Sequence, residues 1–316
     1  MERLRYGFLG SPPFATPVLA RLLDAERVPE LVVTQPPRPQ GRGRGVATSP
    51  VVELATSRGV EVRTPESVKD ERLRTELRAL DLDVLLVASY GELLDQEFLD
   101  LPKLCCLNVH GSLLPRWRGA SPVQAAIVAG DRTTGVSVQR VVRKLDAGDV
   151  MLRVPCEIEP DETGGSLFDK LALLGGEAAV TALSIVESGR AVFEPQDEAR
   201  VTHCRKLTKE SGRLDFARPA SELERLVRAM DPWPGAATEL RGERFVVWRA
   251  TVAGSSALTD APGTVRIDDG RLFVATGAGE LELLEVQAAG KKRMAARAWL
   301  LGARLESGEI LGRSAD

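Results

Sequence analysis

The stretch LCCLNVHGSLLPRWRG, residues 104–119, joins a continuous apolar run to a loop rich in glycine, proline and arginine. Such a run, bounded by turn residues, is typical of a strand buried on both faces of a parallel sheet. We therefore predict a strand over Leu104–Val109. Asn108 and His110 leave its carboxyl end on one side, because alternate strand side chains share a face. Ligands of open α/β sheets bind beyond these ends, so His110 is a candidate for proton chemistry.

Further segments around this stretch read as strands and helices in alternation. Alternation of this kind up to about residue 190 predicts a doubly wound α/β domain with a parallel sheet. The pair Gly175–Gly176 is expected to weaken or bend its last helix. The predicted strands are Leu4–Leu9, Leu31–Thr34, Asp83–Ala88, Leu104–Val109, Val136–Val142 and Val150–Ile158, and the predicted helices are 13–23, 50–58, 122–129 and 166–188.

The second part of the chain has a different texture. Residues 191–207 are polar and irregular and are predicted to be a linker between domain 1–190 and domain 208–316. Five short strands separated by turn residues predict a small β-barrel of the oligonucleotide-binding (OB) type. These strands are Ala237–Leu240, Phe245–Val252, Gly263–Ile267, Leu272–Thr276 and Leu281–Val286, flanked by helices at 221–230 and 295–305.

Composition restricts the possible functions. The chain has 316 residues, 43% hydrophobic and 28% charged, which fits two globular domains. Its net charge of −3 gives no general attraction to nucleic acid or anionic membrane, so a polyanionic partner would need local basic patches. No segment approaches the roughly 20 apolar residues of a membrane span. Prolines within Met1–Leu23 argue against a signal peptide there.

The cysteines indicate a reducing compartment. There are four, at positions 105, 106, 156 and 204, without the paired spacing of a zinc site. Cys105 and Cys106 lie in the apolar run and are interpreted as small core residues. We therefore expect a cytoplasmic protein with no metal.

The longer motifs resemble the methionyl-tRNA formyltransferase family. Asn-x-His, Ser-Leu-Leu-Pro and a distant Asp are shared by the wider formyltransferase superfamily, but the run 108–122 is more specific. The resemblance extends from about residue 4 to beyond residue 300. Besides that run, it includes GSPPFA at 10–15, QPPRPQGRG at 35–43, DPWP at 231–234 and GKKRM at 290–294.

The resemblance implies that Asn108, His110 and Asp146 are the catalytic residues for formyl transfer from 10-formyltetrahydrofolate to the amine of initiator methionyl-tRNA. The Asn108 amide suits stabilisation of a developing oxyanion, and no metal is needed. His110 would either hydrogen-bond the same oxygen or move the amine proton to the leaving nitrogen, and Asp146 would either orient the imidazole or accept a proton from the amine through water. Asp149 is a rival carboxylate on spacing alone, and only the resemblance favours Asp146. The resemblance also implies that folate binds at Ser112, Leu113, Leu114 and Pro115.

Two basic segments are expected to bind the tRNA. The first holds Arg38, Arg42 and Arg44 in a loop of prolines and glycines. Because no Gly-Lys-Ser/Thr follows, this loop is not a phosphate-binding P-loop. The second holds Lys291, Lys292 and Arg293, although basic and acidic residues are nearly balanced from residue 206 onward. The resemblance favours RNA binding there over a solvated face, and it implies a monomer.

Some positions depart from the family pattern, and other functions stay open. Arg44-Gly45-Val46 stands where lysines are common, which lowers the charge of the first basic segment. Pro13 and Ala147 replace a usual Asp and Thr. Competing acceptors are an amino-sugar nucleotide, glycinamide ribonucleotide or water. A non-catalytic tRNA-binding protein and a nicotinamide dehydrogenase are alternatives of other classes, the latter disfavoured because no Gly-x-Gly-x-x-Gly follows the first strand.

Overall fold

The computed structural model describes residues 3–36, 48–254 and 260–312. The chain divides into two compact units. Most of the segment 191–207, predicted as a linker, belongs to unit 1. Unit 1 comprises Met1–Pro122, Thr133–Glu157 and Phe168–Cys204, and unit 2 comprises Val123–Arg132, Ile158–Leu167 and Arg205–Asp316.

Strands and helices alternate along the chain up to residue 204. The strands are β1 (Tyr6–Gly10), β2 (Leu31–Val33), β3 (Val62–Arg63), β4 (Val84–Ala88), β5 (Cys105–His110), β6 (Arg118–Gly119), β7 (Thr133–Arg140), β8 (Val150–Glu157) and β9 (His203–Cys204). The helices are α1 (Ala15–Asp24), α2 (Pro50–Ser57), α3 (Glu71–Ala79), α4 (Gln96–Leu99), α5 (Pro122–Ala129) and α6 (Gly164–Glu187).

Unit 1 is built on a seven-stranded sheet in the order β3-β2-β1-β4-β5-β7-β8. The first five strands in this order are parallel, and the hairpin β7–β8 continues the sheet in the antiparallel sense. Every residue of β1, β2 and β4 is buried, as expected for continuous apolar runs covered on both faces. The predicted doubly wound domain is confirmed.

Strand β5 lies between a parallel and an antiparallel neighbour. It pairs with β4 on one side and with β7 on the other, where Asn108 faces Gln139 and His110 faces Ser137. Directly opposite residues of an antiparallel pair project to the same face. The four side chains therefore line one face of the sheet where β5 ends.

Helix α6 runs without interruption through Gly175 and Gly176, where we predicted weakening or a bend. A Cβ atom on Gly176 would lie 2.6 Å from Cβ of Arg21, and one on Gly175 would lie 3.2 Å from a methyl group of Val109. The two glycines therefore allow α6 to approach α1 and β5 closely. This packing offsets the low helix propensity of glycine.

Unit 2 contains an antiparallel sheet in the part of the chain where we predicted a small β-barrel of the OB type. Its helices are α7 (Ala220–Ala229) and α8 (Ala296–Ala303). Its strands are β10 (Ala236–Leu240), β11 (Glu243–Ala253), β12 (Val265–Asp268), β13 (Arg271–Ala275), β14 (Glu280–Ala288) and β15 (Met294–Ala295). The five longer strands match the five predicted ones, and β15 was not predicted.

The sheet of unit 2 has the order β10-β11-β14-β13-β12, and β15 pairs with β14. The chain near its carboxyl end forms backbone hydrogen bonds with both outer strands. Leu311 N donates to Gly263 O at 2.9 Å beside β12, and Gly312 N donates to Glu239 O in β10 at 2.8 Å. This segment therefore satisfies backbone groups on both edges of the sheet, as edge strands of small β-domains require.

Candidate active site

Asn108 and His110 lie at the carboxyl end of β5, as their spacing predicts. His110 is 7% exposed, and its Nε2 lies 3.0 Å from the carbonyl oxygen of Trp117. A carbonyl oxygen only accepts, so this hydrogen bond requires the proton on Nε2 and leaves the lone pair on Nδ1. Asn108 is half-buried, and within the described part of the chain no group forms a hydrogen bond with its side-chain amide. That amide is thus available to a substrate.

Asp146 brings a carboxylate to the same place. It lies in the loop between β7 and β8 with a left-handed backbone (φ 50°), and its Oδ1 is 3.7 Å from His110 Nδ1. This separation is too long for a hydrogen bond but close enough for strong charge interaction. A proton received on Nδ1 would therefore face a carboxylate. The rival Asp149 contributes a backbone carbonyl, which accepts from Arg140 N.

Both oxygens of Asp146 accept hydrogen bonds from the protein. Gly119 N donates to Oδ2 at 2.9 Å, and Gln139 Nε2 donates to Oδ1 at 3.0 Å. Gly119 has φ 122°, and a Cβ atom there would lie 2.1 Å from the carbonyl oxygen of Cys204. Glycine is therefore required at position 119. The hydrogen bond from its N–H group connects the loop after β5 with the Asp146 carboxylate.

The segment Ser112–Pro115 divides into structural and accessible residues. Ser112 and Leu114 are buried. The Ser112 hydroxyl donates to Arg116 O at 2.7 Å, and Ser137 Oγ donates to Ser112 O at 2.7 Å and accepts from Leu114 N at 3.0 Å. Only Leu113 and Pro115 are partly exposed. Two of the four predicted folate-binding residues thus shape the loop.

Sequence reasoning missed the two glutamines next to Asp146. Gln139 is a polar residue in a strand predicted from its alternation, directly opposite Asn108. The signal available in the sequence was a polar residue at 139 within a predicted strand. Gln196 lies in the predicted linker, where no pattern distinguishes it from its polar neighbours. It is 9% exposed, and its Nε2 donates to Asp146 O at 2.8 Å.

The two basic segments differ in what the structure says of them. Arg38, Arg42 and Arg44 lie outside the described residues. Lys291 and Lys292 are exposed. Arg293 is 3.0 Å from Asp231 and 2.6 Å from Glu285, and its guanidinium stacks on Trp248. Acidic residues of unit 2 therefore balance its charge. We predicted the same tRNA-binding role for Lys291, Lys292 and Arg293, and the structure distinguishes Arg293 from the two lysines.

The described residues contain neither a metal-binding cluster nor a membrane-spanning helix. Within residues 3–36, 48–254 and 260–312, histidine, cysteine, aspartate and glutamate side chains do not gather in threes around a possible metal position. None of the helices there is both long enough and apolar enough to cross a bilayer.

Comparison with protein families and curated proteins gave matches over nearly the whole chain. Residues 8–183 match the family model "Formyl transferase", and residues 206–304 match "Formyl transferase, C-terminal domain". The methionyl-tRNA formyltransferase of Agathobacter rectalis is 40% identical over 307 residues, 97% of this chain and 99% of the relative. That of Thiobacillus denitrificans is 44% identical over 310 residues, 98% of this chain and 100% of the relative.

Solved structures share the fold at low sequence identity. An N-formyltransferase from Helicobacter canadensis, in complex with folinic acid and dTDP-3-aminofucose, has a TM-score of 0.67 at 12% identity, covering 90% of this chain and 99% of that one. HypX from Aquifex aeolicus, in complex with tetrahydrofolic acid, has a TM-score of 0.60 at 19% identity, covering 99% of this chain and 51% of that one.

Proposed function

This chain belongs to the methionyl-tRNA formyltransferase family and transfers a formyl group to methionyl-tRNA, and we propose that Asn108, His110 and Asp146 carry out the transfer. We further propose 10-formyltetrahydrofolate as the donor and the initiator tRNA as the acceptor, giving N-formylmethionyl-tRNA for translation initiation. The observation that carries this assignment is the Nδ1 atom of His110, which lies 3.7 Å from Asp146 Oδ1 on the face of the sheet that also carries Asn108.

Asn108 is assigned to the formyl oxygen. Attack by the methionyl amine places negative charge on that oxygen, and the Asn108 amide N–H donates to it. A donor placed for such charge typically contributes about 2.7–4 kcal/mol to the transition state. The half-buried amide supports this role, because among the described residues it has no hydrogen bond that must break first.

His110 is assigned to the proton of the amine. The hydrogen bond to Trp117 O keeps the proton on Nε2, so Nδ1 is the basic atom. Nδ1 accepts the proton that the amine loses and delivers it to the folate nitrogen that leaves. Asp146 stabilises the imidazolium in between. Proton transfer by a positioned side chain is typically worth about 10²–10⁴ in rate.

The loop Ser112–Pro115 is assigned to the folate donor. Its partly exposed residues, Leu113 and Pro115, are suited to contact an apolar ring, while Ser112 and Leu114 keep the loop in shape through their contacts inside unit 1. Arg153 Nε also donates to Leu114 O at 3.0 Å. A cofactor wall of this kind, apolar with polar groups held in the backbone, is typical of small-molecule sites.

The tRNA is assigned to the two basic segments. Arg38, Arg42 and Arg44 supply the contacts to the acceptor end, with Arg42 reaching the unpaired terminal bases or phosphates. Lys291 and Lys292 supply phosphate contacts from unit 2, and Arg293 supports their surface through its ion pairs. The chain is proposed to act in the cytoplasm as a monomer, without a membrane partner; its four free cysteines fit a reducing compartment.

A formylation assay tests these assignments. The purified chain, 10-formyltetrahydrofolate and initiator or elongator methionyl-tRNA are combined, with water and small amines as control acceptors. We expect transfer to the initiator to exceed transfer to the elongator and to both controls. Equal transfer to the elongator overturns the initiator assignment, and turnover with water alone indicates a formyl-folate hydrolase.

A further inference from the structure

We propose that Gln139 and Gln196 are positioning residues, which hold Asp146 as a hydrogen-bond acceptor beside His110 through a directed chain of hydrogen bonds that begins at Arg118. The proposal rests on the proposed function in one respect: Asp146 is taken as a member of the catalytic set. The four side chains of the chain, which we call the amide relay, are Arg118, Gln196, Gln139 and Asp146.

The relay has a direction because an arginine only donates. Arg118 is 1% exposed, and its Nε donates to Gln196 Oε1 at 2.9 Å. With its oxygen held there, Gln196 must present its NH₂ group to the opposite side. The two N–H bonds of that group are shared among three acceptors, Asp146 O at 2.8 Å, Gly148 O at 2.7 Å and Gln139 Oε1 at 3.2 Å. The three acceptors agree with the amide orientation that Arg118 imposes.

The orientation of the Gln196 amide fixes that of the Gln139 amide. The Oε1 atom of Gln139 accepts from Gln196, so its NH₂ group faces Asp146 and donates to Oδ1 at 3.0 Å. Oδ1 is also the oxygen that faces His110 Nδ1. Gly119 N donates to the other oxygen, Oδ2. The relay therefore holds Oδ1 on the side where the imidazole receives its proton.

Burial makes this arrangement costly to change. Gln139 is 2% exposed and Gln196 is 9% exposed, so a flipped amide would set like groups against each other with no water to compensate. Gln196 also holds the carbonyls of Asp146 and Gly148, which supports the left-handed backbone of Asp146. Two functions are thus divided: Gln196 fixes the loop, and Gln139 fixes the carboxylate.

The variant Gln139→Met tests the carboxylate contact, since methionine has a similar length and no N–H donor. We expect kcat to fall about 10- to 100-fold, the factor expected for a hydrogen bond to a charged group. The KM values for the folate donor and for methionyl-tRNA should stay within about twofold, because Gln139 acts after binding. The matched control is Gln96→Met, whose side-chain amide in α4 bonds only to the exposed Asp100, and it should behave as wild type.

A double variant separates positioning from general support of the fold. If Gln139 acts through Asp146, then Gln139→Met in an Asp146→Asn background should cost little beyond Asp146→Asn alone. Losses that multiply would overturn the proposal. The isosteric variant Gln139→Glu gives a second criterion. It places a carboxylate against Asp146 and should be less active than Gln139→Met. A Glu variant as active as wild type would also overturn the relay.

One readout needs no turnover and keeps the relay separate from the proposed function. The side-chain NH₂ protons of Gln139, identified by their loss in Gln139→Met, should exchange with solvent more slowly than those of Gln96 in the intact protein. In Gln196→Met this protection should decrease. Exchange as fast as that of Gln96 overturns the relay even if formyl transfer is normal, and absence of formyl transfer by the wild type overturns the proposed function while the exchange data still decide on the relay.

Discussion

Arginine has different roles at the candidate site of unit 1 and in the sheet of unit 2. In unit 1, the buried Arg118 orients two amides that end at one carboxylate, and that carboxylate faces a histidine across 3.7 Å. In unit 2, Arg266 pairs with Glu280 at 2.8 Å and Arg271 pairs with Glu282. Arg271–Glu282 connects the neighbouring strands β13 and β14, and Arg266–Glu280 reaches across β13 to connect β12 with β14. In unit 1, the last group of the network faces the histidine that is proposed to move a proton, so the network supports chemistry. In unit 2, the same residue types pair across strands and support stability.

The largest expected effect tests the candidate site of unit 1. His110→Ala should lower kcat by at least about 10², because it removes the imidazole proposed to carry the amine proton. Binding of the folate donor, measured by equilibrium titration, should change little. A kcat equal to that of wild type would remove His110 from the mechanism, and a matched loss of folate binding would move it to the binding site.

The next effect compares neighbouring cations of unit 2. Lys291→Ala and Lys292→Ala should each weaken methionyl-tRNA binding and reduce the dependence of log K on log salt by about one. Arg293→Ala should instead reduce the stability of unit 2, because it removes an ion-pair partner from both Asp231 and Glu285. Binding isotherms at several salt concentrations check this. Equal salt slopes in all three variants would contradict the distinction.

A smaller effect concerns the cross-strand ion pairs of unit 2 and depends on pH. The hydrogen bond from Arg271 lowers the pKa of Glu282 below its ordinary value. A carboxyl group with a lowered pKa in the folded protein contributes stability above its unfolded pKa and loses it as the pH falls through the folded pKa. Arg271→Ala should therefore lower the free energy of unfolding at pH 7 and have much less effect near pH 3.

Tryptophan fluorescence during denaturation is the measurement for Arg271→Ala. Three of the four tryptophans, at positions 233, 248 and 299, lie in unit 2, so the signal reports mainly on that unit. Glu282→Gln is the matched variant, and it should show the same pH dependence. A cost that persists unchanged at pH 3 would show that packing, and not charge, holds this part of the sheet.

The smallest effect uses the cysteines, all of which lie in unit 1. Burial raises the pKa of the thiols of Cys105, Cys106 and Cys204. A raised pKa leaves less thiolate at pH 8, so iodoacetamide should label these three much more slowly than in guanidinium-unfolded protein. Mass spectrometry of the labelled peptides checks each site. Rapid labelling of Cys105 or Cys106 would contradict the buried position of β5.

Where hydrophobic pattern and turn residues agree, the elements were predictable. Strands β1, β2, β4 and β5 differ from their predicted ranges by one or two residues at an end, because a buried parallel strand is nearly all apolar. Helix α3 was missed. Its surface is charged, and only Leu73, Arg74 and Leu77 are buried, with Arg74 held by Asp95 and Glu97. Burial of an arginine by distant acidic partners has no signature in local periodicity.

The candidate site was predictable in part. Asn108 and His110 followed from strand alternation, whereas Asp146 was chosen over Asp149 only through the family resemblance. The roles within Ser112–Pro115 were not separable from sequence, because Ser112 and Leu114 are buried through contacts with Ser137, a residue of another strand. Side-chain direction in a loop depends on partners that are distant in the chain.

Local chemistry therefore determined the kinds of elements in this protein, their order and the residue types able to move a proton and stabilise an oxyanion. Apolar runs, turn residues and alternating side chains act over a few neighbours, so they are readable along the chain. The tertiary structure decided the rest: which carboxylate meets the histidine, which way two glutamine amides point, and which arginines are neutralised by acidic partners. These outcomes depend on contacts such as that of Gln196 with Asp146, fifty positions apart in sequence, and no local pattern encodes them.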